Sequence, residues 1–159
     1  MKILNATEQE RFEEPPKFNA SERKRFFDFP SELLDTAQLL RTPCYRIGFL
    51  LMCGYFRATK KFFNLEDYHA RDIEYLSRKL GLESTAFCSE EYSRSRIHHH
   101  RELVLKTFGY RRFDGKAEES ITSEISNMIR TQLKPKLIFW RCVDLLTKTR
   151  VSLPSCYQI

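Results

Sequence analysis

The chain has 159 residues, of which 42% are hydrophobic, enough to build a core without disulfide or metal staples. Five Gly and six Pro are few, while Phe and long polar side chains abound, which favours helices over a turn-rich β architecture. The net charge of +6 sits in two stretches: residues 41–62 hold five cations and no anion, and residues 93–113 hold six cations and one anion. Five cysteines, odd in number and without a Cys-x-x-Cys pair, signal neither a disulfide framework nor a zinc site. The longest apolar run, residues 47–56, is too short for a bilayer, and the start lacks a secretory apolar core. These features predict a cytoplasmic all-α protein, a bundle of about six to eight helices with room for two helix-turn-helix-like subdomains.

In chain order, residues 1–16 are acidic and end in Pro15-Pro16, and they read as a flexible lead-in. Asn19-Ala20-Ser21-Glu22 is a capping box that opens a helix carrying Phe26, Phe27 and Phe29 up to Pro30. Ser31 is then expected to cap a helix through Arg41, with Leu33, Leu34, Ala37 and Leu40 on one stripe. Thr42-Pro43, a cap followed by proline at the first helical position, opens the most hydrophobic helix. Ile47, Phe49, Leu50, Leu51, Met52, Tyr55 and Phe56 surround it, which places it in the middle of the bundle, and Gly48 and Gly54 allow close neighbours. Its exit carries Arg57, Lys60 and Lys61, cations that the helix dipole favours with or without an external anion.

Asn64-Leu65-Glu66-Asp67 resembles another cap, followed by Ile73, Leu76 and Leu80 and a stop at Gly81. The segment from Leu76 through Leu82 to Phe87 has the outline of a helix-turn-helix, but Glu83, Glu90 and Glu91 in its second half repel phosphates. Residues 93–108 form a helix closed by Gly109, with Ile97, Val104, Leu105 and Phe108 on the packed side. Arg94, His98 and Arg101 fall at i, i+4 and i+7, while Arg96 and His100 share the adjacent stripe; Lys106, Arg111 and Arg112 extend the basic run. Asp114-Gly115 starts a second helical segment, residues 114–159, with Ile121, Ile125, Met128 and Ile129 on one helix. The next helix opens at Lys134-Pro135 and carries Leu137, Ile138, Trp140, Val143, Leu145 and Leu146. Residues 17–113 are thus expected to form the main helical unit.

No catalytic constellation is legible. Adjacent residues of a helix point about 100° apart, so His98, His99 and His100 cannot converge on one metal ion. His98 and Glu102 have ligand spacing but no visible third partner, and there is no phosphate-binding glycine loop or nucleophile elbow. The candidate site is therefore electrostatic: Arg41, Arg46, Arg57, Lys60 and Lys61 with Arg94, Arg96, His98, His100, Arg101, Lys106, Arg111 and Arg112, brought to one side to meet duplex DNA. A protein-interaction module using Tyr110 and Phe113 is the alternative.

The order of motifs carries a family resemblance. It runs from Arg41-Thr42-Pro43-Cys44-Tyr45-Arg46-Ile47-Gly48-Phe49-Leu50-Leu51 through Gly54-Tyr55-Phe56-Arg57-Ala58-Thr59-Lys60-Lys61-Phe62-Phe63 and Asp72-Ile73-Glu74-Tyr75-Leu76. It continues in the stretch from Tyr92 to Arg101 and in Gly109-Tyr110-Arg111-Arg112-Phe113. This pattern resembles the amino-terminal domain of the Tn-three family of class II replicative transposases. The resemblance implies recognition of transposon terminal inverted repeats, with the metal-binding catalytic acids downstream in the full protein, so that no cofactor and no catalytic residue is expected here. It also implies that the chain continues beyond Leu153-Pro154. The partners it implies are double-stranded DNA, the remainder of the transposase and further copies on DNA, with no membrane.

Overall fold

The computed structural model describes residues 3–155. Among them the chain forms eight α-helices: α1 (Ala6–Glu13), α2 (Ala20–Phe26), α3 (Ser31–Gln38), α4 (Pro43–Thr59), α5 (Ala70–Lys79), α6 (Arg94–Phe108), α7 (Gly115–Arg130) and α8 (Pro135–Lys148). Single 3-10 turns lie at Leu65–Asp67, Ser84–Ala86 and Ser89–Glu91, and the described residues hold no strand beyond isolated bridges. The expected all-helical bundle is what forms. It divides into two compact units, one of residues 15–108 and one of residues 3–14 with 109–155.

The larger unit is organised around α4. Thr42 caps it, its hydroxyl accepting from the Tyr45 N–H at 3.1 Å, and Pro43 opens the first turn at no hydrogen-bond cost. Ile47, Phe49, Leu50, Leu51, Cys53 and Phe56 are all fully buried, because α2, α3, α5 and α6 pack around the helix. Burial of each such side chain stabilises by about 1.5–3 kcal/mol, so this helix dominates the core. Two glycines make the close packing possible: a methyl at Gly54 would strike the buried ring of Phe27, and one at Gly48 would strike the Tyr92 side chain.

One charged lock crosses the core of this unit. Asp72, on the first turn of α5 and almost fully buried, accepts from Arg23 Nε at 2.7 Å and from the Tyr55 hydroxyl. Burial, then the Asp72 carboxylate beside it, hold the Tyr55 hydroxyl protonated far above its ordinary range. On the other side of α4, His100 is 0% exposed, with ring contacts to Tyr45, Phe49 and Tyr92 and its Nδ1 3.1 Å from the Tyr92 hydroxyl. Desolvation, reinforced by the charge of Arg96, pushes its pKa down to about 4.

In the smaller unit α7 and α8 pack as an antiparallel pair around Ile121, Met128, Cys142 and Leu146. The Arg111 N–H donates to the Arg150 carbonyl at 2.8 Å and Ser152 N–H returns to Arg111 at 2.9 Å, tying the exit of α8 to the segment before α7. The expected flexible lead-in is corrected here. Asn5 and Glu8 form a reciprocal capping box, α1 follows it, and Phe12 lies edge-on to Phe139 at 5.2 Å, so apolar burial orders the segment.

Other boundaries shift as well. Pro30 rather than Ser31 is the N-cap of α3, and α3 ends at Gln38. Leu65–Asp67 makes only a 3-10 turn, and α5 begins at Ala70 after His69. Gly81 closes α5 with φ +70 and Leu82 N–H returns to Ser77 at 2.8 Å, as expected of a helix stop. No α-helix follows before Arg94, so the helix-turn-helix outlined from Leu76 does not form: single 3-10 turns at Ser84–Ala86 and Ser89–Glu91 stand where its second helix would lie. The four described cysteines are free thiols, and Cys156 lies outside the described residues.

Three outcomes follow. Gly54→Ala should cost about 1–3 kcal/mol in chemical denaturation, because the overpacked Phe27 has no free volume to enter. Arg23→Met should cost about 3–5 kcal/mol by stranding buried Asp72, whereas Lys136→Met, which removes the solvent-exposed 2.8 Å pair with Glu8, should leave the denaturation midpoint nearly unchanged. For His100, a folded pKa near 4 against an ordinary 6.5 means the unfolded chain binds the extra proton between those values. Stability should therefore fall by about 1–3 kcal/mol as pH drops from 6.5 towards 4, and His100→Asn should flatten that part of the stability profile in urea melts.

Candidate nucleic-acid interface

The two basic stretches meet at one end of the larger unit. α4 and α6 run side by side in the same direction: Tyr45 faces His100 and Arg96, Phe49 faces His100, and Phe56 stacks on Phe108 at 5.8 Å. Both helix N-termini consequently lie at the same end. The Arg96 guanidinium stands 5.4 Å over the Tyr45 ring, and the Tyr92 hydroxyl reaches the Tyr45 carbonyl at 3.3 Å, so the residues before α6 are stitched to the first turn of α4. Arg46 donates to the Leu40 carbonyl at 3.1 Å, which holds the α3–α4 connection against the same corner.

Charge at this corner favours an anion. Neither α4 nor α6 has an acidic residue in its first turn, so the positive end of each dipole is uncompensated within the helix. Thr42 and Ser93 cap them through hydroxyls rather than carboxylates, the Ser93 oxygen accepting from Arg96 N–H at 3.2 Å. Arg41 and Arg94 are exposed beside these termini, and Arg46 and Arg96 are half-buried with them. The opposing term is close by: Glu90 and Glu91 are exposed on the 3-10 turn whose Glu91 carbonyl accepts from the Tyr45 hydroxyl at 3.4 Å. Four arginines and two helix N-termini outweigh two carboxylates, but the corner is not uniformly positive.

At the far end of the same two helices the cations are spent on the fold, and several expected contacts are corrected. Arg57 donates to the carbonyls of Asp28 at 2.7 Å and Phe26 at 3.3 Å and lies over Phe29, closing the end of α2. Lys60, left-handed at the end of α4, turns its ammonium to the Arg57 carbonyl at 2.8 Å, and desolvation lowers its pKa. Lys61 is 4% exposed with its ammonium over Phe63. Arg101 donates to the Phe63 carbonyl at 3.2 Å and lies over Phe62, with its Nε buried without a hydrogen-bond partner and its pKa lowered by burial. His100 is inside the core. Burial keeps Lys61 and His100 from phosphates, and internal hydrogen bonds hold Arg57, Lys60 and Arg101.

His98 and Lys106 are exposed on α6, while Arg111 and Arg112 are exposed in the smaller unit. Phe113 packs against the α7–α8 core and Tyr110 is half-buried, which weakens them as a docking patch. Reading the sequence missed Tyr45 and Tyr92, the residues that join the two basic stretches. Tyr45 at the first turn of a capped helix was the available signal, but its partner lies 47 residues away. Lys17 and Arg71 were missed too: with Arg23 and His69 they line a cavity of about 310 Å³ at the start of α5. Among the described residues no three His, Cys, Asp or Glu side chains gather as a metal-binding group, and no helix is long and apolar enough to cross a membrane.

No curated protein shows significant similarity to this chain. Residues 3–159 match the family described as a domain of unknown function, DUF4158. The match spans nearly the whole sequence, and the chain belongs to that family.

Proposed function

We propose that this chain is the DNA-binding domain of a transposase, which recognises the terminal inverted repeats of a mobile element and carries no catalytic centre or cofactor of its own. The observation that carries the reading is the joining of two sequence-distant basic stretches by the Arg96–Tyr45 contact at 5.4 Å. Arg41, Arg46, Arg94 and Arg96 then stand around two helix N-termini, an arrangement that suits a phosphate backbone. His98 and Lys106 extend the contact along α6, and the first turns of α4 and α6 are the elements nearest the groove. The motif order of the sequence, which resembles the amino-terminal domain of Tn-three transposases, supplies the target class. The resemblance also makes the remainder of the transposase and further copies on DNA its expected partners, in the cytoplasm.

The test is fluorescence anisotropy with a duplex bearing the terminal repeat and a scrambled duplex of equal length. Arg41→Ala and Arg94→Ala should each weaken binding about 3–10-fold and reduce the salt slope by about one, while leaving the melting temperature unchanged. Lys106→Ala should do less. Unchanged affinity and salt slope in the Arg41→Ala/Arg94→Ala double variant would remove this corner from the interface.

A further inference from the structure

Of the two helices whose first turns meet at the arginine corner, only α6 has a side to offer a groove. α4 is buried at every residue from Ile47 to Phe56. α6 is divided lengthwise: His100, Val104 and Leu105 are buried, with Arg96, Ile97, Arg101 and Phe108 half-buried beside them. Contacts of His100 with Tyr45, Phe49 and Tyr92, and of Phe108 with Phe56, fix the rotation of the helix along its length. The side turned furthest from this seam follows from geometry. At about 100° per residue it carries Ser95, His99, Glu102 and Lys106, spaced i, i+4, i+7 and i+11. Ser95, His99 and Lys106 are exposed and Glu102 is half-buried. The Ser95 hydroxyl stands 3.2 Å from the capping hydroxyl of Ser93, so it sits on the same first turn as Arg94 and Arg96.

The chemistry of this stripe differs from that of the corner. The corner arginines are cations suited to phosphate oxygens, which carry no sequence information. A serine hydroxyl and an imidazole with one ring proton each donate and accept, a carboxylate accepts from a cytosine amino group, and an ammonium donates to guanine; these are pairings that tell base edges apart. Charge along the outward side is mixed rather than cationic: Arg94 and Lys106 stand against Glu102 on the helix and Glu90 and Glu91 on the turn before it. Such a stripe adds little attraction for a polyanion, so it selects rather than holds. Resting on the DNA-binding reading, we infer that α6 is the helix that enters the major groove and that Ser95 and His99 determine which base sequence it accepts. Both lie outside the basic set, and both lie in the N-terminal half of the helix. That half is the part that approaches base edges, because the arginines around the first turn fix the phosphates there. Glu102 and Lys106 lie about one and two turns further from the corner.

The experiment is anisotropy with the terminal-repeat duplex and the scrambled duplex of equal length, reading the ratio of the two affinities. Ser95→Ala and His99→Ala, both at exposed helical positions, should leave the far-UV circular dichroism as it is. The double variant should lower the ratio about tenfold or more by weakening the terminal-repeat complex alone, with scrambled-duplex affinity and salt slope unchanged. Arg94→Ala is the control for a phosphate contact: it should weaken both duplexes by the same factor and reduce the salt slope, leaving the ratio where it was. Base-pair substitutions scanned through the repeat should locate the change, since those that weaken the wild type but no longer weaken the double variant mark the positions read. A selective wild type whose ratio the double variant retains, or a double variant that loses both duplexes equally, would overturn the role of Ser95 and His99 and leave the DNA-binding reading standing. Equal wild-type affinity for the two duplexes would overturn that role as well, and binding of neither duplex would overturn both readings.

Discussion

A helix that is apolar on every side has no face to give to water, and α4 imposes that condition on the rest of its unit. Each neighbour must bring apolar surface to it, and wherever a polar group comes along, that group must be satisfied on the spot. The Tyr55 hydroxyl, at the heart of α4, is met by the Asp72 carboxylate, which in turn needs Arg23. On the opposite flank His100 is kept neutral and turned to the Tyr92 hydroxyl. Aromatic rings fill the remaining space: Phe18 and Phe27 both lie against Tyr55, at 5.8 and 5.9 Å. The polar exceptions of this core are therefore consequences of its most hydrophobic element rather than independent features.

The same condition explains why charge could be counted from the sequence but not assigned. Residues 41–62 and 93–113 are both strongly basic, and composition treats Lys61 and Arg41 alike. The fold separates them by where along α4 each one falls. At the C-terminal end the chain must turn sharply and backbone carbonyls are left open: Lys60 closes that of Arg57 in the last turn of α4, Arg57 those of Phe26 and Asp28 at the exit of α2, and Arg101 that of Phe63 in the segment after α4. At the N-terminal end the helix offers N–H groups instead of carbonyls, and of the cations there Arg46 closes the Leu40 carbonyl while Arg41 and Arg94 are exposed. Helix polarity thus sorts one basic stretch into a structural half and a half that faces outward.

Local signals were legible wherever a residue's own neighbours decide the outcome. Thr42-Pro43, Asn19 with Glu22, and the Gly81 and Gly109 stops all sit where capping and left-handed backbone require them. The central placement of α4 followed from its all-round hydrophobicity. The order of residues 6–13 was equally present in Asn5 and Glu8, but acidic composition and the following prolines outweighed it, and the ring that holds the helix, Phe139, lies far along the chain. His100 shows the limit from the other side. Three adjacent histidines are chemically identical in sequence, and only packing against Tyr45, Phe49 and Tyr92 separates the buried one from its exposed neighbours.

The apolar residues of the last two helices are not all buried. A stripe of Ile125, Met128 and Ile129 on α7 and of Leu137, Ile138 and Trp140 on α8 is wider than one partner helix can cover. Met128 and Phe139 are buried by the pair itself, with α1 contributing Phe12, while Ile129, Leu137 and Trp140 stay open to water. A two-helix layer with one short helix across it lacks the area to bury two broad stripes. The surplus is a property of the pattern rather than of an accidental side chain, since closing it would take another helical face. The two units thus expose different chemistry: the larger turns arginines outward at the start of α4 and α6, and the smaller leaves Ile129, Leu137 and Trp140 open to water.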